Sequence, residues 1–318
     1  MNNPHRVLHV TVEMAPLAKQ GGLGDVLGAL PKTMKRRGVD ARVLLPAFPG
    51  VLESAGKHVS SCKKLPEQVH VALDWRVYSA SVYEADIDGL TVYILDQPEL
   101  FTNPRIYPTV LTQSSVLPFV FLSLAAFELP TLVGWQPEIL HVHDWSTAII
   151  PVALRWHKHY RTLRPMYDVA LTIHNLAHQG IVDPSFLASW GLSKDAFSLD
   201  GLEFYGQANI IKGGTLSSDI ITTVSPHYSW DIQTIDGGFG LQGVFGVLRG
   251  KLSGILNGID YEIWSPSTDK LLPATYSPDD MSGKAECRKR LLEMCGWEDD
   301  GRPIVSFVGR LVQQKGVD

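Results

Sequence analysis

Residues 7–45 read VLHVTVEMAPLAKQGGLGDVLGALPKTMKRRGVDARVLL, and this stretch decides the fold. Residues 7–12 form a short run rich in β-branched side chains. A glycine-containing loop follows, and then Leu23, Val26, Leu27, Leu30 and Met34 recur at helical spacing up to Arg37. Gly38 is a stop signal for that helix, and residues 41–45 return as an apolar strand before the Pro46-Ala47-Phe48-Pro49-Gly50 turn. Strand, helix and strand make a βαβ unit. The rhythm recurs at residues 139–142, 169–173 and 220–224, each an apolar strand followed by a polar loop and a helical pattern. Buried strands alternating with helices predict an α/β fold with a doubly wound parallel sheet, Rossmann-like in plan. Residues 69–83 and 90–95 flank Asp88-Gly89 and predict a peripheral antiparallel hairpin.

Composition narrows the function classes. At 318 residues the chain is long enough for two domains. Its 45% hydrophobic and 19% charged residues are ordinary for a globular protein. A net charge of -5 argues against nucleic acid as a partner, because phosphate neutralisation needs the opposite balance. Lys35-Arg36-Arg37 and Arg288-Lys289-Arg290 read as solvated helix ends. Cys62, Cys287 and Cys295 are too few and too scattered for a disulfide framework or a zinc site, which suits a reducing, cytoplasmic compartment. The opening residues lack a charged n-region and a small-residue cleavage site, so no export signal is expected. The apolar stretch 116–129 is shorter than the roughly 20 residues that cross a bilayer and reads as a buried helix, with no membrane partner.

Ligands of such sheets bind beyond the carboxyl ends of the strands, so the polar residues there are the candidates. Lys19-Gln20-Gly21-Gly22-Leu23-Gly24-Asp25 lies between the first strand and helix; it can cradle a phosphate on backbone N–H groups, or be a purely structural turn. Its spacing matches neither the dinucleotide fingerprint nor a P-loop, which argues against a dehydrogenase or kinase. His141-Val142-His143-Asp144-Trp145 ends another strand, where His143 and Asp144 can hydrogen-bond a sugar and Trp145 can pack on its apolar face. The two histidines are expected on opposite sides of the strand, which spoils a shared metal site. Thr172-Ile173-His174-Asn175 and Asn257-Gly258-Ile259-Asp260 can be binding residues or mere caps and turns. Arg310 and Lys315 follow an expected strand at 304–308 and would suit a diphosphate.

In order and spacing these segments resemble the glycogen and starch synthases of the GT-B class, over essentially the whole chain. Also shared are Ala41 through Pro49, Leu176-Ala177-His178-Gln179-Gly180, Gly201-Leu202-Glu203-Phe204, Ile263-Trp264-Ser265-Pro266, and Gly309-Arg310-Leu311 with Gln314-Lys315-Gly316. The resemblance implies two Rossmann-like domains facing a cleft: residues 1–255 as the acceptor-side catalytic domain, and residues 256–318 as a linker and the incomplete start of the donor-nucleotide domain. It implies transfer of glucose from ADP-glucose to the non-reducing end of an α-1,4-glucan with retention, and no metal or other cofactor. Lys19, Gly21 and Gly22 would meet the donor's phosphates and glucose, with Asp25 near the nucleotide. Asp144, His143, His174 and Asn175 would hold the sugar, Tyr107 would line the cleft, Asn257 would bind substrate, and Arg310 and Lys315 would stabilise the leaving diphosphate. A two-carboxylate glycosidase arrangement is not expected. This sequence departs from the family at Ser146-Thr147, where His-Ala is common, and in a shorter, Pro-rich stretch around Tyr107. Beyond Asn257 only one helix (283–294) and one strand (304–308) are legible, so the chain reads as the N-terminal portion of a synthase, inactive alone. The alternatives are a non-catalytic glucan-binding remnant and a GT-B transferase for another sugar nucleotide.

Overall fold

The computed structural model describes residues 5–309, 311 and 316. Two compact units part between Gly258 and Ile259. The first is built on twelve strands: β1 (Arg6–Val10), β2 (Asp40–Pro46), β3 (Ser61–Leu73), β4 (Arg76–Ile87), β5 (Leu90–Asp96), β6 (Ile139–His143), β7 (Asp168–Ile173), β8 (Ile181–Val182), β9 (Glu203–Phe204), β10 (Gln207–Asn209), β11 (Ile220–Thr223) and β12 (Leu252–Gly254). Nine of them form one sheet in the order β12-β11-β7-β6-β1-β2-β5-β4-β3, parallel from β12 to β5 and antiparallel beyond. From β1 the chain winds outward through β2 to β5, then returns to β1's other flank with β6. The order reverses between β1 and β6, and a crevice opens at such a switch point beyond the strands' carboxyl ends.

The parallel strands are apolar on both faces because helices cover both. Leu8, Val10, Leu44, Leu45, Ile94 and Leu140 are fully buried. The first helix, Gly22–Arg36, turns Leu23, Leu27 and Pro31 inward and ends at Arg37, followed by Gly38 at φ 87°. It lies so close to the loop after β1 that a Cβ on Gly28 would stand 2.9 Å from the Ala15 carbonyl oxygen, so glycine is what permits the approach.

Three sequence expectations change. The run 69–83 is two strands, the end of β3 and the start of β4, broken at Asp74 with φ 56°. The hairpin at Asp88-Gly89 joins β4 to β5 and is not peripheral, because β5 pairs in parallel with β2 and extends the main sheet. The apolar helix spans Gln113–Val133, 21 residues, because Thr112 and Ser115 cap it upstream and Gly134 closes it downstream. That length and composition could cross a membrane, but 72% of its apolar window is buried inside the protein, as in a core helix.

Among its described residues the second unit holds one helix, Ser282–Cys295, ended by Gly296 in the left-handed region. Residues 304–308 do not form the expected strand. A strand needs a ladder partner, and among the described residues of this unit there is no other strand.

Candidate active site

The loops leaving β1, β6 and β7 meet at the switch point. Their register sets His9 beside His141 and His143 beside Thr172, so the residues that follow emerge side by side. Glu13, on the loop after β1, is buried and acts as its organiser. The Gln20 and Gly21 N–H groups donate to its Oε2 at 2.6 and 2.8 Å. The Tyr107 hydroxyl donates to its Oε1 at 2.7 Å across 94 residues of sequence. Burial, reinforced by the Glu13 carboxylate, holds the Tyr107 phenol above its usual range and hence as a donor. Sequence reasoning missed Glu13, and its only signal was a carboxylate at a strand end among apolar neighbours.

The glycine loop is therefore shaped by an internal carboxylate, which takes the Gly21 N–H group assigned to phosphate. Gly22 opens the first helix. Lys19 Nζ stands 2.7 Å from Asp25 Oδ1, and both side chains are nearly half exposed. A pair so placed adds little to stability and gives way readily to a stronger anion.

Asp144 adopts φ 55°, a strained value for a residue with a Cβ, and so turns its carboxylate back across the sheet. Its Oδ1 accepts the His174 N–H at 2.7 Å and the Asn175 N–H at 3.3 Å, tying the ends of β6 and β7 together. Burial pushes the Asp144 carboxyl up to about 7, against the pull of those two N–H groups and with a contribution from Glu13. His143 Nδ1 lies 3.1 Å from His174 Nε2. Burial lowers both imidazoles, His174 to about 4, so both are neutral near pH 7. Ser146 and Thr147 also find a role, since both hydroxyls donate to the His143 carbonyl and Thr147 Oγ1 accepts the His143 N–H at 2.7 Å.

Two sequence readings are corrected here. His141 and His143 do not face opposite sides of β6: residues two apart in a strand share a face, and their ring centroids are 4.3 Å apart. Trp145 does not face a sugar; it is buried against Phe119 at 4.8 Å, and Gly180 packs so closely that a Cβ there would sit 2.8 Å from the indole. Of the expected site residues, Lys19, Gly21, Gly22 and Asp25 lie on the loop after β1 and the start of the first helix, and Tyr107, from the segment between β5 and the helix Gln113–Val133, reaches that loop through Glu13. The structure gathers His143, Asp144, His174 and Asn175 on the next two strand ends. Asn257 lies exposed beyond the edge strand β12, and no hydrogen bond joins it to this group. Arg310 and Lys315 lie outside the described residues.

The family model described as the starch synthase catalytic domain matches residues 6–246. The chain belongs to the glycogen and starch synthase family. The glycogen synthase of Geotalea uraniireducens is 38% identical over 316 residues, 98% of this chain and 64% of that protein. That of Rhizobium tropici is 38% identical over 320 residues, with the same coverage. The catalytic domain of starch synthase IV from Arabidopsis thaliana, solved with ADP and acarbose, superposes with a TM-score of 0.88 at 33% identity, over 99% of this chain and 64% of that one. The chain thus spans about 64% of the length of these relatives, and its fold is the Rossmann-like α/β architecture of the GT-B class. The strand-end cluster of Glu13, Asp144, His174 and Asn175 lies inside the matched region.

Proposed function

We propose that the protein carrying this chain transfers glucose from ADP-glucose to the non-reducing end of an α-1,4-glucan with retention of configuration. The observation that carries the reading is the meeting of the Glu13-organised glycine loop with Asp144, His174 and Asn175 at the switch point of a family-matched sheet. The choice of ADP-glucose draws support from the Arabidopsis relative, whose structure was solved with ADP and acarbose.

In this reaction the bond between C1 and the diphosphate oxygen breaks, and its electron pair leaves with the diphosphate. A lone pair of the acceptor hydroxyl forms the new bond to C1 on the same face, and the hydroxyl proton passes to the departing diphosphate. Stabilising the charge that develops on the leaving group is the largest demand. We assign it to Lys19, Arg310 and Lys315, with Lys19 exchanging Asp25 for phosphate. The neutral His174 and the Asn175 amide offer directional hydrogen bonds to the transferred glucose, and the Asp144 carboxylate fixes both through their main chain. His143 orients His174, while Tyr107 and the Gly21-Gly22 backbone shape the wall of the donor site. Asp25 near the nucleotide and Asn257 on the cleft complete the assignment. This scheme calls for no resident cofactor, and a cytoplasmic location suits the three free cysteines.

The test is to supply the complete protein containing this chain with glycogen and ADP-glucose or UDP-glucose, and to measure nucleoside diphosphate release and chain extension. Extension with ADP-glucose, lost by about 10²-fold or more in His174→Ala, is the expected result; a change of that size is typical when a positioned polar group is removed from such a site. Glucan binding without release from either donor would overturn the reading in favour of a binding remnant.

A further inference from the structure

On the amino side of β7 and β11, at the opposite end of the sheet from the proposed transfer site, a cavity of about 530 Å³ is lined by Arg155, Arg161 and Arg164. Local structure puts all three there. Arg155 lies in the last turn of the helix Ile149–Trp156, and Arg161 and Arg164 are three residues apart in the short 3-10 helix Tyr160–Met166. Side chains three apart eclipse in a helix of three residues per turn, so the second and third guanidinium groups leave the same edge. Lys251 stands beside them: burial lowers its ammonium below the usual range, and the charges of Arg155 and Arg164 push the same way against the pull of Asp219.

Among the described residues one carboxylate answers these four cations: Asp219, which pairs with Arg164 and also accepts the Val169 N–H at 2.8 Å. Part of the charge has a structural use. The carboxyl ends of helices attract cations, and Arg155 Nη1 donates to the Leu216 carbonyl at 3.4 Å while Lys251 donates to that of Ser218 at 2.6 Å. Arg161 has no such use, because its guanidinium makes no hydrogen bond or ion pair with the described residues. Arg155 lies over the Trp156 ring, 4.3 Å from its centre. That contact holds the guanidinium in place and leaves most of its five N–H groups to bond outward. Like charges gathered round one acid repel, and they are gathered here in a chain whose net charge is -5.

We propose that this cavity binds a small organic phosphate, a phosphate monoester with a body of about one ring. Guanidinium forks meet phosphate oxygens in pairs. A phosphate monoester carries a charge of about -1.5 to -2 near pH 7 and so answers more than one arginine, which a carboxylate does not. The volume falls within the range of about 300–1,000 Å³ usual for small-molecule sites and exceeds what inorganic phosphate fills. Leu154 and Leu216 give the organic body an apolar wall. The site shares no residue with the proposed transfer and stands whether or not that reading holds.

The experiment titrates the full chain calorimetrically with phenyl phosphate at about 0.15 M salt, where loosely held surface ions are screened, with sulfate and benzoate as comparison anions. One phenyl phosphate per chain is expected, with a Kd below about 1 mM and each comparison anion weaker by about 10-fold or more. Arg155→Gln and Arg161→Gln should each weaken phenyl phosphate by about 10-fold or more, the size of a lost charge-assisted hydrogen bond, while thermal melting shows that the fold is kept. Absence of saturable binding, or equal binding of the three anions, overturns the site. Undiminished binding in both folded variants also overturns it, since the phosphate is then held elsewhere, at the glycine loop for instance. Should a variant not fold, the comparison of the three anions on the unaltered chain decides.

Discussion

Glu13 shows how much one side chain can fix. Its carboxylate receives two backbone N–H groups from the glycine loop and one phenol from a segment 94 residues away. Replacing it by glutamine leaves one acceptor oxygen for three donors and turns an N–H₂ group toward at least one of them. We expect Glu13→Gln to lower the unfolding free energy by about 1–3 kcal/mol, the usual cost of a buried donor left unsatisfied. Tyr107→Phe should cost about 1 kcal/mol, and the two changes should be non-additive because they share one hydrogen bond. Urea unfolding of the single and double variants reads this directly; additive losses would mean that the phenol and the carboxylate do not act on each other. Glu13 carries only the weak local signal of a carboxylate just beyond a strand, because its partners Gln20, Gly21 and Tyr107 are assembled by the fold. Lys19, Asp144, His174 and Asn175 were legible because they sit at strand ends, where position alone implies a crevice. Trp145 was misread for the converse reason: its neighbours Phe119 and Gly180 come from other elements, and they make it core.

Between elements, the parallel strands were legible as apolar runs and the first helix as a 3.6-residue pattern, because both periods are written in consecutive residues. The joint after the helix Ile149–Trp156 was not. There His157 Nδ1 accepts the His159 and Tyr160 N–H groups at 3.1 and 3.2 Å and starts the short helix Tyr160–Met166. Burial, with smaller contributions from His159 and Lys158, lowers this imidazole to about 4 from an ordinary 6.5. Between those values the unfolded chain binds the proton and the folded one does not, so unfolding takes up protons and stability falls as pH falls. The contribution of His157 is fully present above about pH 6.5 and is lost progressively as the pH falls toward 4. Protonation would also place an N–H against the two backbone donors. In His157→Asn the side-chain oxygen can still accept from the backbone but does not titrate. Urea midpoints measured from pH 7 to 4 should therefore fall less steeply in the variant, and parallel profiles would remove His157 from the acid response.

For the molecule as a whole, the question is which part of the chain holds itself together. The first unit buries nearly all of the large apolar side chains in the core, among them Trp190, Tyr93, Phe119, Phe121 and Phe245. In the second unit Leu292 is the one buried large apolar side chain among the described residues, while Trp264, Leu271, Trp297, Val305 and Val308 stand exposed. Ordering a residue's backbone costs roughly 1–2 kcal/mol, and fully burying a large apolar side chain returns roughly 1.5–3 kcal/mol. One such side chain cannot offset the ordering of some tens of residues, so cooperative stability has to reside in the first unit. Shortening the chain to residues 1–258 should therefore leave the main thermal transition within about 2 °C, because a transition in a unit of this size moves by roughly 2–4 °C per kcal/mol. Limited proteolysis of the full chain should cut first beyond Gly258 and leave the first unit intact. A loss of several degrees on shortening, or early cleavage within the nine-stranded sheet, would show that residues beyond 258 help hold the fold. The strand ends that carry Asp144, His174 and the glycine loop would then depend on them as well.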